Sequence, residues 1–177
     1  LIEFTDGDDA MTIANGGAVT FSQTPVGAGV ALTTGTTVAA TSGTEIIFTG
    51  IPSTTSRIML MFRGVTMSAN QNIRVTLGTS SGLVTSGYLG TSGYGAGADD
   101  RTDSWVWYPS NATLSGVMTI CHMGGNIYVQ GHSSKYNANN TSFGGGDVAV
   151  GGVVDRLGID PAGNATFSAG AINIMFD

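Results

Sequence analysis

The stretch from Thr41 to Val65 constrains the fold more than any other part of the sequence. It contains two apolar runs, Glu45–Phe48 and Ile58–Phe62, which are separated by Gly50, Pro52 and a series of hydroxyl residues. β-Branched and aromatic runs that are bounded by turn residues are typical of β-strands. The second run has five consecutive apolar side chains. We therefore predict that this strand is buried on both faces.

Short strand patterns recur along the rest of the chain, and helical periodicity is not found. Residues 73–77 and 172–176 alternate apolar and polar side chains with period two, as half-buried strands do. About ten short strands with turns at this spacing predict an all-β fold, an antiparallel β-sandwich similar to a jelly roll, over residues 41–177. The predicted strands lie near 45–48, 57–65, 72–77, 83–88, 104–108, 114–122, 126–132, 147–154, 156–160 and 170–176.

Composition argues against several classes of function. Only 10% of the residues are charged and the formal charge is −6, with Lys135 as the only lysine, so we expect no nucleic-acid partner. Cys121 stands alone, which excludes an intrachain disulfide and a cysteine-based zinc site. The longest apolar run is far shorter than the ~20 residues that cross a bilayer, so no membrane insertion is expected.

Motifs of catalysis are missing from the sequence. It has no Gly-x-Ser-x-Gly elbow, His-Glu-x-x-His pair or phosphate-binding loop. Asp99, Asp100 and Asp103 could supply a carboxylate pair of the glycosidase kind, but acids beside Arg101 in a Gly-rich segment are more often a solvated turn. We predict a protein that is not an enzyme and that uses no cofactor.

Two glycine-rich segments are interpreted as turns. A two-residue hairpin turn at Gly124-Gly125 would pair His122 with Ile127, and it would place His122 and His132 on opposite faces of the hairpin. One chain could not then bind a metal ion with both histidines. Gly144-Gly145-Gly146-Asp147 is a single glycine-rich copy without stacking neighbours, and we predict a flexible loop there.

Several motifs resemble the distal domains of bacteriophage tail fibres and related receptor-binding proteins. They are Phe48-Thr-Gly-Ile-Pro52 and Arg57-Ile-x-x-Met-Phe-x-Gly-Val65, followed by Thr85–Tyr88, Gly151–Arg156 and Ala169–Ile174. The likeness covers most of residues 41–177. It implies an extracellular virion protein, a homotrimer at the far end of a tail fibre, which binds a receptor on the host cell surface. A metal shared on the trimer axis through one histidine per chain is the minority alternative.

Residues 1–40 differ from the rest, because very short strand-like units such as Met11–Ile13 and Ala18–Phe21 alternate with turns. Such units cannot close a core alone. They look like the last repeats of a fibre shaft, in which copies of the chain intertwine, and for residues 27–43 a flexible linker is an equal alternative. The sequence opens at Leu1 rather than Met, so we expect a preceding part that joins other tail proteins.

Aromatic and charged residues converge between Tyr88 and Asn111, a segment that holds both tryptophans of the chain. Aromatic faces stack on sugar rings, and acidic groups accept hydrogen bonds from hydroxyls, which suits a saccharide or a bacterial surface protein. We expect the tryptophans to form the floor of this site, although packing in the core is an equal alternative. Residues 135–140 form a weaker second candidate. The predicted binding residues are Tyr88, Tyr94, Asp99, Asp100, Arg101, Asp103, Trp105, Trp107, Tyr136 and Asn137.

Three functions compete at this point. The first is non-catalytic, multivalent binding of a host receptor, with the charged residues and Tyr94 exposed around the aromatic floor. The second is a capsid or baseplate decoration that binds no receptor, and the third is a polysaccharide depolymerase. Family resemblance concerns the fold and the particle, whereas function depends on the site.

Overall fold

A computed structural model describes residues 11–21, 31–94, 97–108, 113–136 and 139–177, and all regular structure in these ranges is β. The chain divides into two compact units, Leu1–Ala31 and Leu32–Asp177. In the first unit, strands β1 (Met11–Ile13) and β2 (Val19–Phe21) form an antiparallel pair. The described ranges contain no helix that is long and apolar enough to cross a membrane.

The second unit consists of two antiparallel sheets of nine and five strands. The strands are β3 (Thr33–Thr34), β4 (Val38–Ala39), β5 (Ile46–Thr49), β6 (Arg57–Met67), β7 (Ile73–Thr79), β8 (Gly82–Leu83), β9 (Tyr88–Tyr94), β10 (Gly97–Arg101), β11 (Trp105–Trp107), β12 (Leu114–Gly124), β13 (Ile127–Tyr136), β14 (Asn140–Ala149), β15 (Arg156–Pro161) and β16 (Phe167–Phe176). The larger sheet has the order β10-β9-β14-β13-β12-β6-β16-β3, with β4 also paired to β16, and the smaller has the order β11-β7-β15-β5, with β8 paired to β7. The predicted antiparallel all-β fold is thus confirmed.

The inner faces of the two sheets share one hydrophobic core. Ile58, Leu60 and Phe62 of β6 are at most 4% exposed, and the Phe62 ring meets the Trp107 ring of the smaller sheet edge-on at 4.6 Å. Met59 and Met61 lie on the opposite, outer face of β6 and are half-buried. Burial on both faces was therefore the wrong expectation for this strand, because its alternate side chains reach the outer surface of the larger sheet.

Strand β16 is paired on both sides, with β6 on one side and with β3 and β4 on the other. Residues 33–39 therefore contribute to the larger sheet, although the sequence grouped them with the shaft end and linker. The side chain of Asp177, just beyond β16, accepts hydrogen bonds from the backbone N–H groups of Ser56 and Arg57, each at 2.9 Å.

The glycine-rich residues 144–146 lie in the middle of β14, so the predicted flexible loop is wrong. A Cβ at Gly144 would come within 2.4 Å of His132 Cε1, and one at Gly146 within 2.2 Å of the Leu89 carbonyl oxygen. On the neighbouring strand, a Cβ at Gly90 would lie 3.0 Å from Trp105 Cδ1. These glycines make room for bulky side chains and for a close backbone approach, which is a packing role rather than a flexible one.

The hairpin between β12 and β13 turns at Gly125-Asn126, where the φ angles are 59° and 64°, one residue later than predicted. This turn pairs Gly124 with Ile127, and a register shift between His122 and Gly124 then makes Tyr128, instead of Ile127, the partner of His122. A one-residue slip moves side chains to the other face of a strand. His122 and His132 consequently share one face, and the predicted opposite placement is wrong.

Candidate functional site

The segment from Tyr88 to Tyr108 passes from one sheet to the other. Strands β9 and β10 form an antiparallel hairpin at the edge of the larger sheet, and β11 pairs with β7 at the edge of the smaller sheet. Residues 97–101 were predicted as part of a loop, but they form strand β10, which contacts β11 as well as β9. The two sheet edges therefore meet along this segment.

The large aromatic rings of the segment lie in the core, which corrects their assignment to a receptor-binding surface. Tyr88, Trp105 and Trp107 are all 0% exposed. Trp107 Nε1 donates a hydrogen bond to Ser134 Oγ at 2.8 Å, and the Leu77 backbone N–H donates to the Tyr88 hydroxyl at 2.8 Å. A buried ring whose polar atom has a partner within the core has no surface left for an external ligand.

Two tyrosines stay at the surface beside a carboxylate. The rings of Tyr94 and Tyr108 stack at 5.1 Å with 16° between their planes, and both residues are half-buried. Asn72 Nδ2 donates to Asp99 Oδ2 at 2.6 Å. Partial burial, the neighbouring Tyr94 and the nearby Asp99 carboxylate together raise the pKa of the Tyr108 hydroxyl. We call Tyr94, Tyr108, Asp99 and Asn72 the tyrosine patch.

Arg101 and Asp103 form a two-bond ion pair next to this patch. Arg101 Nε donates to Asp103 Oδ1 and Arg101 Nη2 donates to Asp103 Oδ2, both at 2.7 Å. These bonds hold the pKa of the Asp103 carboxyl below its usual range and raise the pKa of the Arg101 guanidinium. Both side chains remain about a third exposed, at 31% and 39%, so the pair lies at the surface.

Arg74 and Asp160, which the sequence did not indicate, complete the charged group. They are register partners on β7 and β15, and Arg74 donates through Nε and Nη2 to Asp160 Oδ2. Arg74 Nη1 also lies 3.7 Å from Asp103 Oδ2. Burial raises the pKa of the Asp160 carboxyl although Arg74 donates to it.

These side chains line a cleft of about 210 Å3 on the outer side of the smaller sheet. We call it the arginine cleft; its lining residues are Glu45, Arg74, Thr76, Leu83, Thr85, Asp103, Ser104 and Asp160. The period-two pattern over 73–77 could have shown that Arg74 faces outward. No sequence signal brings positions 45, 74, 103 and 160 together, because that contact depends on which strands are neighbours in the sheet.

A buried hydrogen-bond chain connects the tyrosine patch to the core. The Tyr108 backbone N–H donates to Ser92 Oγ at 3.0 Å, and Ser92 Oγ lies 2.8 Å from His132 Nε2. His132 Nδ1 lies 2.8 Å from Gln130 Oε1, which can only accept. Nδ1 therefore carries the proton, and Nε2 accepts the Ser92 hydroxyl proton. Burial lowers the pKa of His132 to about 4, so the ring is neutral at physiological pH.

Asp100 lies apart from this group. Asp100 is exposed, and alternation along β10 directs it to the face opposite Asp99 and Arg101. Asn137 lies outside the described residues, and so does the side chain of Tyr136 at the end of β13. His122 is exposed and stacks on Tyr128 at 4.8 Å. Within the described ranges no group of three or more His, Cys, Asp or Glu side chains is placed to hold a metal ion.

Comparisons of the chain with protein-family models, with curated proteins and with solved structures gave no match. The tail-fibre resemblance thus stays an expectation from the sequence motifs.

Proposed function

We propose that this chain is a non-catalytic binding module at the distal end of a phage tail fibre, homotrimeric, which attaches the virion to a saccharide on the host cell surface. The observation that carries the binding role is the tyrosine patch. It places two stacked, partly exposed phenol rings beside a carboxylate and an amide, next to the Arg101–Asp103 pair. Apolar ring surface flanked by a few fixed polar groups is the usual make-up of a saccharide-binding surface.

The patch is pre-organised, which favours binding. Asp99 is held by Asn72, and Tyr108 is held at its backbone by Ser92, so the groups that would meet a sugar are already ordered. A ligand then loses less free energy to the ordering of side chains on the protein. The surrounding strands supply a rigid support, as is common for functional residues at the edge of a β-sandwich.

The outer face of the larger sheet supports self-association. Met61, Val117, Ser133 and Phe143 stand in one row across β6, β12, β13 and β14. Val117 is 37% exposed and Phe143 is 62% exposed in the single chain. A row of exposed apolar side chains across a sheet is typical of a surface that another protein covers, and three copies would display three patches.

Multivalent attachment provides the mechanism. A single shallow patch of this kind binds weakly, but three identical sites on one rigid head convert later contacts into intramolecular events. Their combined affinity for a repetitive surface glycan exceeds that of one site by orders of magnitude without any new contact.

Asp103 is unsuited to the role of general acid in glycoside hydrolysis. Its hydrogen bonds from Arg101 hold its pKa low. At neutral pH it is ionised and has no proton to donate to a glycosidic oxygen. We expect no new reducing ends when the protein is incubated with capsule or lipopolysaccharide. If the wild type does release reducing ends and the Asp103→Asn variant does not, the protein is instead a depolymerase.

Fluorescently labelled protein on a panel of bacterial strains tests the binding role. We expect the wild type to label at least one strain, and the Tyr94→Ala/Arg101→Ala double variant to lose that labelling while its oligomeric state and unfolding transition persist. Val153→Ala, at a position that is 56% exposed and lies outside both the tyrosine patch and the outer face of the larger sheet, is the control. If the wild type labels no strain, the decoration role takes its place; if the folded double variant labels normally, recognition lies elsewhere.

Light scattering at micromolar concentration tests the trimer separately. Three chains per particle are expected, and Phe143→Lys should shift the population towards monomer because it places a charge in the exposed apolar row. A monodisperse wild-type monomer would contradict the multivalent mechanism.

A further inference from the structure

We propose that the arginine cleft is a second binding site, which takes one neutral or amine-bearing sugar ring and rejects acidic sugars. It shares none of the residues of the tyrosine patch. A soluble monosaccharide tests it without any cell.

The size of the cleft limits its occupant to one small ring. Its volume of about 210 Å3 is below the roughly 300–1,000 Å3 of pockets that enclose drug-sized ligands. Leu83 packs closely over Gly158 beside Thr76, because a Cβ at Gly158 would lie 2.7 Å from Leu83 Cδ1 and 2.9 Å from Thr76 Oγ1. Leu83 thus provides an apolar surface beside a hydroxyl, which suits the C–H face of a sugar ring.

The wall offers both hydrogen-bond donors and acceptors. Arg74 uses Nε and Nη2 for Asp160, whereas its Nη1 lies 3.7 Å from Asp103 Oδ2, which is longer than a hydrogen bond. The Glu45 carboxylate is exposed, and it makes no hydrogen bond or ion pair with any residue that the structure describes. Thr76 Oγ1 reaches the Gly158 carbonyl oxygen only at 3.5 Å. These three groups retain hydrogen-bonding capacity for a ligand.

A polyhydroxylated ring matches this wall better than a simple cation does. An ammonium group donates hydrogen bonds but cannot accept them, so it would satisfy Glu45 and leave Arg74 Nη1 without an acceptor. A sugar hydroxyl both donates and accepts. It can therefore bridge the guanidinium on one side and a carboxylate or threonine hydroxyl on the other.

The charge of the wall selects among sugars. The lining residues carry three carboxylates, Glu45, Asp103 and Asp160, and one guanidinium, Arg74. Arg74 is engaged by Asp160, and Asp103 is paired with Arg101. Glu45 is therefore the uncompensated charge of the wall that the carboxylate of a uronic acid would meet. An amino group on the ring would instead be attracted to Glu45. The cleft is therefore expected to prefer an amine-bearing ring to a neutral one and to exclude an acidic one.

Titration of 15N-labelled protein with glucosamine, glucose and glucuronic acid, followed by amide chemical shifts, tests the site. Saturable shifts are expected at Thr76, Thr85 and Ser104, in the millimolar range, for glucosamine and more weakly for glucose, and none for glucuronic acid. Absence of saturable shifts with both glucosamine and glucose overturns the proposal. Equal shifts with glucuronic acid overturn the charge selection.

A charge reversal at the wall provides the sharper test. Glu45 is exposed and makes no hydrogen bond or ion pair with the described residues, so Glu45→Lys should fold normally. We expect it to lower glucosamine affinity by about tenfold and to permit shifts with glucuronic acid, because the sign of the local charge is inverted. Asp147→Asn is the control, and it should change the affinity for neither glucosamine nor glucuronic acid. Unchanged glucosamine affinity in folded Glu45→Lys would overturn the proposal.

A second variant, Thr85→Val, removes a wall hydroxyl at an exposed position without changing the charge. It should lower the affinity for glucosamine and for glucose by similar factors. A purely electrostatic contact would not respond to this change, because the charge of the wall stays the same. If none of these sugars binds while the wild type still labels cells, the proposed second site is wrong. The proposed receptor binding is then unaffected.

Discussion

The two sides of the segment Tyr88–Tyr108 have opposite environments although they come from the same twenty or so positions. Trp105 and Trp107 are completely buried against the larger sheet, whereas Arg101 and Asp103 keep about a third of their side chains in solvent. Strand alternation and the passage between sheets separate the two sets. Convergence of aromatic and charged residues in a sequence therefore does not show which of them a ligand can reach.

This difference implies different energetic roles. The buried side contributes to stability, because the Trp105 indole occupies the space over Gly90 and the N–H groups of both indoles have partners. The surface side contributes little to stability, since exposed ion pairs are weak. It leaves polar groups in place for a ligand. The predictions that follow separate stability from binding, in order of decreasing effect.

Replacement of Trp107 should have the largest effect on folding. Trp107→Ala removes a fully buried indole and its bond to Ser134, which should lower the free energy of unfolding by about 3–5 kcal/mol. Urea unfolding measures this loss. Val153→Ala, at a position that is 56% exposed, is the control and should change the value by less than about 0.5 kcal/mol. If Trp107→Ala lowers the free energy of unfolding by less than about 1 kcal/mol, the buried side and the surface side do not differ in their contribution to stability.

Acid should destabilise the protein through His132. Its pKa is about 4 in the folded state and about 6.5 in the unfolded chain, so the unfolded state binds the proton more readily. The stability that depends on the neutral ring is fully present above pH 6.5 and falls as the pH drops to about 4. The loss amounts to about 3 kcal/mol.

Urea unfolding at pH 7 and at pH 4 measures this effect as a difference. His132→Gln should lose about 3 kcal/mol less than the wild type between the two pH values. His122→Gln should behave like the wild type, because His122 is the other histidine and is exposed. Equal acid sensitivity of His132→Gln and the wild type would show that the buried ring does not control this transition.

The Arg101–Asp103 pair should have the smallest effect on stability. Asp103→Asn keeps the shape of the side chain and removes its charge, and it should cost less than about 1 kcal/mol, since both partners are about a third exposed. The same urea assay, repeated at high salt, should give a smaller difference between variant and wild type. A cost above about 2 kcal/mol would place the pair among the structural interactions.

The sequence was sufficient for the fold class and for most strands, because period-two alternation over segments such as 73–77 and 172–176 is a local property. The sequence was insufficient for predicting local structure in glycine-rich segments, because glycine occurs both in turns and at close contacts within strands. Gly124, Gly125 and Asn126 all adopt positive φ, so the turn position could not be chosen from residue types alone. Gly144–Gly146 have the composition of a loop, but they serve as close-contact positions within a strand.

The candidate site was predictable in part. Tyr94, Asp100, Arg101 and Asp103 were expected at the surface from their composition; Asp100 is exposed, and the other three are half-buried. The arginine cleft was not, because Arg74 and Asp160 come from strands whose pairing is set by the whole sheet. The burial of Trp105 and Trp107 was one of two equal alternatives, since a tryptophan pattern is the same for a core strand and for a binding floor.

Tryptophan fluorescence tests the separation of core from surface most directly, because Trp105 and Trp107 are the only two tryptophans in the chain. The folded protein should emit at a shorter wavelength than the unfolded chain and should be quenched slowly by acrylamide. Both properties should be the same in the Tyr94→Ala/Arg101→Ala variant and in the presence of cells that the protein labels. Emission like that of the unfolded chain, or quenching that cells block, would place the indoles at the binding surface and contradict the account.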